Sequence, residues 1–201
     1  MVELGEFINQ LRESRLKAYN ASPGDIKEHH GIEEVVLAGG YGYRQVLELV
    51  QNGADAILES HEAGTGQSGP ARIEVVLANS SLYVANTGAA FSEEGIDALL
   101  RSHSSPKRGN QIGRFGLGFK SLLRLGGKID IVSGFVAFGF DPDRCRQELR
   151  ERFSVKDAPG LRLAWLLDDA QAASLHDLFS WATTVVRAEI RGEDILNHLR
   201  G

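Results

Sequence analysis

RQVLELVQNGADAILESH, residues 44–61, is the stretch from which the rest of the chain is read. Val46, Leu49, Val50, Ile57 and Leu58 recur at helical spacing, which predicts one amphipathic helix packed on a core. Glu48 and Asn52 are four apart, so their side chains leave such a helix in the same direction, one turn apart. Asp55, three residues further on, stays on that face, while Gly53, Ala54 and Ala56 keep the neighbouring surface low. A carboxylate, a carboxamide and a shaved surface side by side suit a flat ligand with a charged tail. The same residues also fit an ordinary amphipathic helix with a wet polar face, and the helix by itself leaves both readings open.

Composition narrows the setting. A chain of 201 residues with 42% hydrophobic content can bury the core of a single domain spanning residues 1–201. The net charge of −5 offers no broad basic footprint for nucleic acid or an anionic membrane. One cysteine, Cys145, excludes an internal disulfide framework and fits a reducing compartment. No apolar run reaches the length of a membrane span, and the opening MVELGEFINQLRES lacks the pattern of a signal peptide. The expectation is a soluble, cytoplasmic domain. The closing NHLRG reads as the start of another helix, so a longer parent protein is expected.

Residues 1–20 read as an amphipathic helix bearing Leu4, Phe7, Ile8, Leu11 and Leu16, broken by Ser22-Pro23-Gly24. A short helical piece with His29-His30 follows, and AGGYGY at 38–43 is a glycine-rich turn that could approach a phosphate but better fits letting two helices meet closely. Residues 1–43 thus form an N-terminal helical segment. EAGTGQSGP at 62–70 is a surface connection. Residues 72–78 and 82–86 predict a hairpin, and Ser92 caps a helix with Glu93 and Glu94 in its first turn. Residues 101–112 are polar and turn-rich, a candidate mobile lid in which His103 has no role. Beyond them come a helix through Leu125, a hairpin of 128–133 and 135–140 around Gly134, and a charged helix at 141–153. A strand at 161–167, a helix at 170–179 and a strand at 183–191 complete the order, with Trp165 and Trp181 assigned to packing.

Gly113, Gly116 and Gly118 require a choice among phosphate-binding schemes. A dinucleotide fingerprint runs G-x-G-x-x-G directly off an apolar strand, whereas here the spacing is G-x-x-G-x-G after a polar segment. A Walker A loop needs Gly-Lys-Ser in succession, and Phe119 stands between Gly118 and Lys120. What remains is a glycine-rich turn opening a helix, where free backbone N–H groups favour an anion; tight backbone packing explains the same glycines.

Together, ELVQNGADA at 48–56, VANTGAAF at 84–91 and GRFGLGFKS at 113–121 resemble the three boxes of the GHKL superfamily of ATPase domains. That superfamily includes gyrase, the large heat-shock chaperone, histidine kinases and MutL. Within it, SSPKR in the lid and the GFKS ending look most like the chaperone-type domain that begins sacsin-like proteins. The resemblance implies a Bergerat fold: an α+β two-layer sandwich whose mixed, mostly antiparallel sheet is covered on one face by helices, with ATP among them.

Residue by residue, the resemblance implies that Asn52 binds magnesium through its side-chain oxygen and that Glu48 is the general base for in-line attack of water. The competing role for Glu48 is a structural pair with Arg44. Asp55 is expected to hold backbone beside the nucleotide, and Gly53 and Ala56 to leave room for the purine. Asn86 stands where most relatives carry an aspartate that accepts from the adenine amino group, a neutral substitute that loses charge assistance. Gly88 would let backbone approach the base, Ala90 stiffens the loop where relatives have glycine, and Thr183 resembles the threonine that reaches adenine through water. The backbone of Gly113, Arg114, Phe115, Gly116, Leu117, Gly118 and Phe119 would cradle phosphate, with Lys107 and Lys120 as candidate phosphate contacts.

The implied activity is magnesium-dependent ATP binding with slow hydrolysis, signalling to a protein client or to downstream regions of the same chain, with dimerisation of the parent as a further expectation. No membrane partner is expected and nucleic acid is disfavoured. Three alternatives are a nucleotide-binding module without hydrolysis, a MutL-, gyrase- or MORC-like ATPase acting on DNA, and a histidine kinase catalytic domain. The last would require a phosphoacceptor histidine, for which EHHGIEE at 28–34 is poorly suited.

Overall fold

The computed structural model describes residues 2–38, 44–64, 69–100 and 118–200. Two N-terminal helices, α1 (Val2–Ala21) and α2 (Gly24–Ala38), precede the central helix α3 (Gln45–Glu62). A hairpin of β1 (Ile73–Ala78) and β2 (Ser81–Asn86) leads into α4 (Glu93–Leu100). After the 3-10 helix Phe119–Leu125 come β3 (Gly126–Ser133), β4 (Val136–Phe140), α5 (Pro142–Phe153), β5 (Trp165–Leu166), α6 (Asp169–Leu178), β6 (Thr184–Ile190) and α7 (Glu193–Arg200). None of the described helices is long and apolar enough to cross a membrane.

Local chemistry sets the boundaries. Asn79 and Ser80 have φ of 49° and 55°, so the β1–β2 turn has two left-handed residues, the combination whose twist matches a tight hairpin. Asp141 caps α5 by accepting from the Arg144 N–H, with Pro142 in the first turn. Asp168 and Gln171 form a reciprocal capping box at the start of α6.

The strands form one sheet in the order β1-β2-β6-β3-β4-β5, and every pairing among the described residues is antiparallel. The mixed sheet expected from sequence is therefore not what the described strands build. One face carries Leu82, Val84, Ile129, Ile131, Phe138, Val186 and Ala188, packed against Leu49 of α3, Ile96 and Leu100 of α4, Ile8 of α1 and the 3-10 helix. The alternate residues Tyr83, Ala85, Val132 and Val185 pack on Leu175 and Phe179, at and just beyond α6. The expectation of helices on one face alone is thus qualified: α6 covers part of the other. A third cluster joins Leu16, Tyr19, Ile26, Cys145, Leu149, Ala158 and Leu163 beneath α1, α2 and α5.

The strand expected at 161–167 is reduced to Trp165–Leu166. The backbone N–H groups of Gly160 and Leu161 donate instead to the buried Glu33 carboxylate, at 2.6 and 3.0 Å. The segment bends at Gly160, Leu161 and Arg162 and is buried, with those two amides taken up by the carboxylate.

Candidate functional site

The site is built on α3. Its buried residues are Gln45, Leu49, Gly53, Asp55 and Ser60, so much of the inward stripe is small or polar. Leu47 and Leu58 are 52% and 50% exposed, because they lie on the opposite side of the helix from Leu49 and Gly53. Leu58 therefore does not belong to the core-facing stripe to which its spacing assigned it. Glu48 and Asn52 are half-buried along one flank of the inward stripe, one turn apart.

Three contacts bring the other segments onto this helix, each at a glycine. A β-carbon on Gly53 would lie 3.2 Å from Cβ and 3.3 Å from Oδ1 of Asn86, so the bare glycine lets the carboxamide rest against α3. Gly88 has φ of +118°, and a β-carbon there would meet the Ala56 carbonyl at 2.7 Å. The next residue, Ala89, donates its N–H to the Ala56 oxygen at 2.9 Å. At the other end, a β-carbon on Gly118 would fall on the Glu48 carboxylate, 2.8 Å from its Cδ. Gln45 holds this junction from inside, donating Nε2 to the Ser121 carbonyl at 3.2 Å, while Ser121 Oγ donates to the Gly118 carbonyl at 2.6 Å. Glu48 makes no ion pair or side-chain hydrogen bond among the described residues, so the structural pairing with Arg44 weighed above is not formed.

Asn86 is 5% exposed. Its Nδ2 donates to the Thr87 carbonyl at 2.7 Å. A carbonyl accepts only, so the atom facing it must be the amide nitrogen, and this fixes the orientation of the carboxamide. Oδ1 is left as an acceptor, with no donor to it among the described residues.

The register identifies the threonine beside it. Thr184, not Thr183, is the cross-strand partner of Asn86, and Ser133 pairs with Thr184 on its other side. Thr183 instead extends the backbone ladder, its N–H donating to the Asn86 carbonyl at 3.0 Å and its carbonyl accepting from Gly134 at 2.9 Å. Ser133 Oγ and Thr184 Oγ1 are 2.6 Å apart, and the Phe91 N–H donates to Ser133 Oγ at 2.9 Å. Sequence reading passed over Thr184 and Ser133; the available signal was the phase of β6, where Val186, Ala188 and Ile190 face the helices and Thr184 continues their alternation.

Other candidates lie elsewhere. Phe119 is core, edge-to-face with Phe140 at 5.1 Å between ring centroids, which leaves only its backbone to a ligand. Asp55 is 5% exposed, within the helix packing. Lys120 is 1% exposed and its Nζ has no hydrogen-bond partner among the described residues. Burial pushes this lysine down to about 8, Arg162 adds to the effect, and Glu33 opposes it. It is therefore sealed within a polar cluster in which Arg162 Nε donates to the Tyr19 hydroxyl at 3.2 Å and Tyr19 lies 2.8 Å from His29 Nδ1. Lys107 and Gly113 to Leu117, with the candidate lid at 101–112, lie outside the described residues.

Fold and site together define an α+β domain with a six-stranded antiparallel sheet, among the described residues, and a glycine-lined helix carrying an acid and an amide. The chain is 34% identical over 98 residues, 48% of its length, to Protein NO VEIN of Arabidopsis thaliana. The match covers 3% of that protein, so the chain spans a small fraction of the curated relative's length. No protein-family model matches the chain.

Proposed function

We propose that this chain is a GHKL-type ATP-binding domain with the Bergerat fold, of the chaperone or sacsin-like kind, that hydrolyses ATP slowly with magnesium. The observation that carries the reading is the convergence on α3 of three segments distant in sequence, with Asn86 on Gly53, Gly88 on Ala56 and Gly118 on Glu48. Packing alone does not call for a carboxylate and an acceptor-bearing carboxamide along one helix.

The residues present fit a nucleotide. Asn86 Oδ1 is an acceptor without a donor among the described residues, as an adenine amino group requires, and Thr184 is its cross-strand neighbour. Asn52 offers the side-chain oxygen for a magnesium ion, which would neutralise phosphate charge. Among the described residues no three of His, Cys, Asp or Glu gather to hold a metal by themselves, so phosphate and water would complete its shell. Glu48, one turn earlier, is the base that would take a proton from the attacking water. Its carboxylate lies against the Gly118 backbone, where a β-carbon would displace it. Domains beyond this chain would read the nucleotide state.

Titration calorimetry with ATP and magnesium, together with phosphate release by the chain and by Glu48→Ala, tests the reading. Binding is expected in both, with turnover in the variant lower by about a hundredfold. Absence of binding would remove the nucleotide from the site. Binding with equal turnover in both would remove Glu48 as base and leave a module that holds ATP without hydrolysing it.

A further inference from the structure

Asn86, Thr184 and Ser133 form a polar row across β2, β6 and β3 on a sheet face that is otherwise apolar, and they are 5%, 5% and 1% exposed. From this row, and resting on the ATP reading above, we infer that Ser133 is a positioning residue: it fixes the direction of the Thr184 hydroxyl so that the site presents one donor beside one acceptor to the base.

The available protons constrain the direction of the Ser133–Thr184 bond. A hydroxyl has one proton to donate and two lone pairs to accept with. Ser133 already accepts from the Phe91 N–H. If Thr184 also donated to it, the Ser133 proton would be left without an acceptor in a place sealed from water, which costs free energy. Either direction leaves one hydroxyl proton over, and the direction that a ligand beside Asn86 can satisfy leaves it on Thr184: Phe91 N–H to Ser133 oxygen, Ser133 O–H to Thr184 oxygen. Thr184 then has its own proton free for a ligand, while the neighbouring Asn86 keeps Oδ1 as acceptor. A donor beside an acceptor matches the N1 and 6-amino groups of adenine and opposes the N1–H and 6-oxo groups of guanine or hypoxanthine. On this account Ser133 contributes to base selection without touching the base.

The probe is 1-deazaadenosine triphosphate, which carries C–H in place of N1. The chain is expected to bind ATP about tenfold more tightly than this analogue, the worth of one hydrogen bond. Ser133→Ala should narrow that ratio to about twofold, chiefly by weakening ATP. Ser133→Thr, which keeps the hydroxyl, should retain it. Thr184→Val should narrow it as far as Ser133→Ala does, and the double variant no further, because both act through one hydroxyl. A Ser133→Ala variant that weakens ATP and the analogue equally would reduce Ser133 to packing and overturn the inference. Wild-type chain that binds ATP and the analogue alike would also overturn it while leaving the ATP reading intact; failure to bind ATP at all would remove both.

Discussion

A lysine ammonium held out of water with no hydrogen-bond partner destabilises the fold around it, and among the described residues Lys120 is in that state. Arg162 lies near enough to disfavour its charge further, while Glu33, the counterion acting on it, already spends both carboxylate oxygens on backbone amides. Replacing the ammonium by an apolar group of similar length removes the desolvation cost and keeps the packing. Lys120→Met is therefore expected to stabilise the domain by about 2 kcal/mol at pH 7, measured by urea unfolding. Loss of stability in the variant would show that the ammonium is well solvated by a partner. Sequence alone reads a lysine after a glycine turn as a hand for phosphate, because residue type and spacing carry no sign of burial. Thr183 and Thr184 illustrate the same gap at finer grain. Adjacent threonines are equivalent to any pattern, and only strand register decides which one stands beside Asn86.

At the scale of elements, most boundaries follow from signals that are local in the chain: the Asp141 cap, the Asp168–Gln171 box and the left-handed pair at Asn79-Ser80. The elements that escaped were those decided by distant groups. Glu33, on α2, takes the amides of Gly160 and Leu161, and a stretch of suitable β composition forms only a two-residue strand. On α3, the helical period was legible, but the inward side combines Leu49 with Gly53 and Ala56, which accept the 86–89 loop, while Leu47 and Leu58 face outward. That junction is testable at Gly88. Its φ of +118° disfavours any side chain, and a β-carbon would press on the Ala56 backbone at 2.7 Å, which has no flexible end to swing aside. Gly88→Ala is expected to destabilise the domain by about 3 kcal/mol in urea unfolding, through strain and the separation of loop from helix. A cost below about 1 kcal/mol would mean that the loop docks independently of that contact.

Across the whole molecule, three buried titratable groups in one region shape how stability responds to alkali. Burial chiefly pushes the Cys145 thiol from 9.0 up to about 12 and the Tyr19 hydroxyl from 10.0 up to about 12, and pushes Lys120 from 10.5 down to about 8. Both acids hold their protons longer in the folded chain than in the unfolded one. Their contribution is complete below about 9 and 10 and is lost as the pH climbs toward about 12. Lys120 has the opposite sign: the folded chain gives up its proton first, so the cost of the buried charge is full below about 8 and gone by 10.5. Between pH 8 and 9 the lysine acts alone, and stability should rise by roughly 1 kcal/mol. From 9 to 10 the thiol cancels the lysine. Beyond 10.5 only the two acids remain, and stability should fall at about 2.7 kcal/mol per pH unit while both respond. Urea unfolding from pH 7 to 11 reads this profile directly. In Lys120→Met the initial rise should vanish and the decline should begin near pH 9. If chain and variant trace the same curve through pH 8 to 10, the lysine does not titrate in the folded protein, and its burial is compensated by something other than loss of its proton.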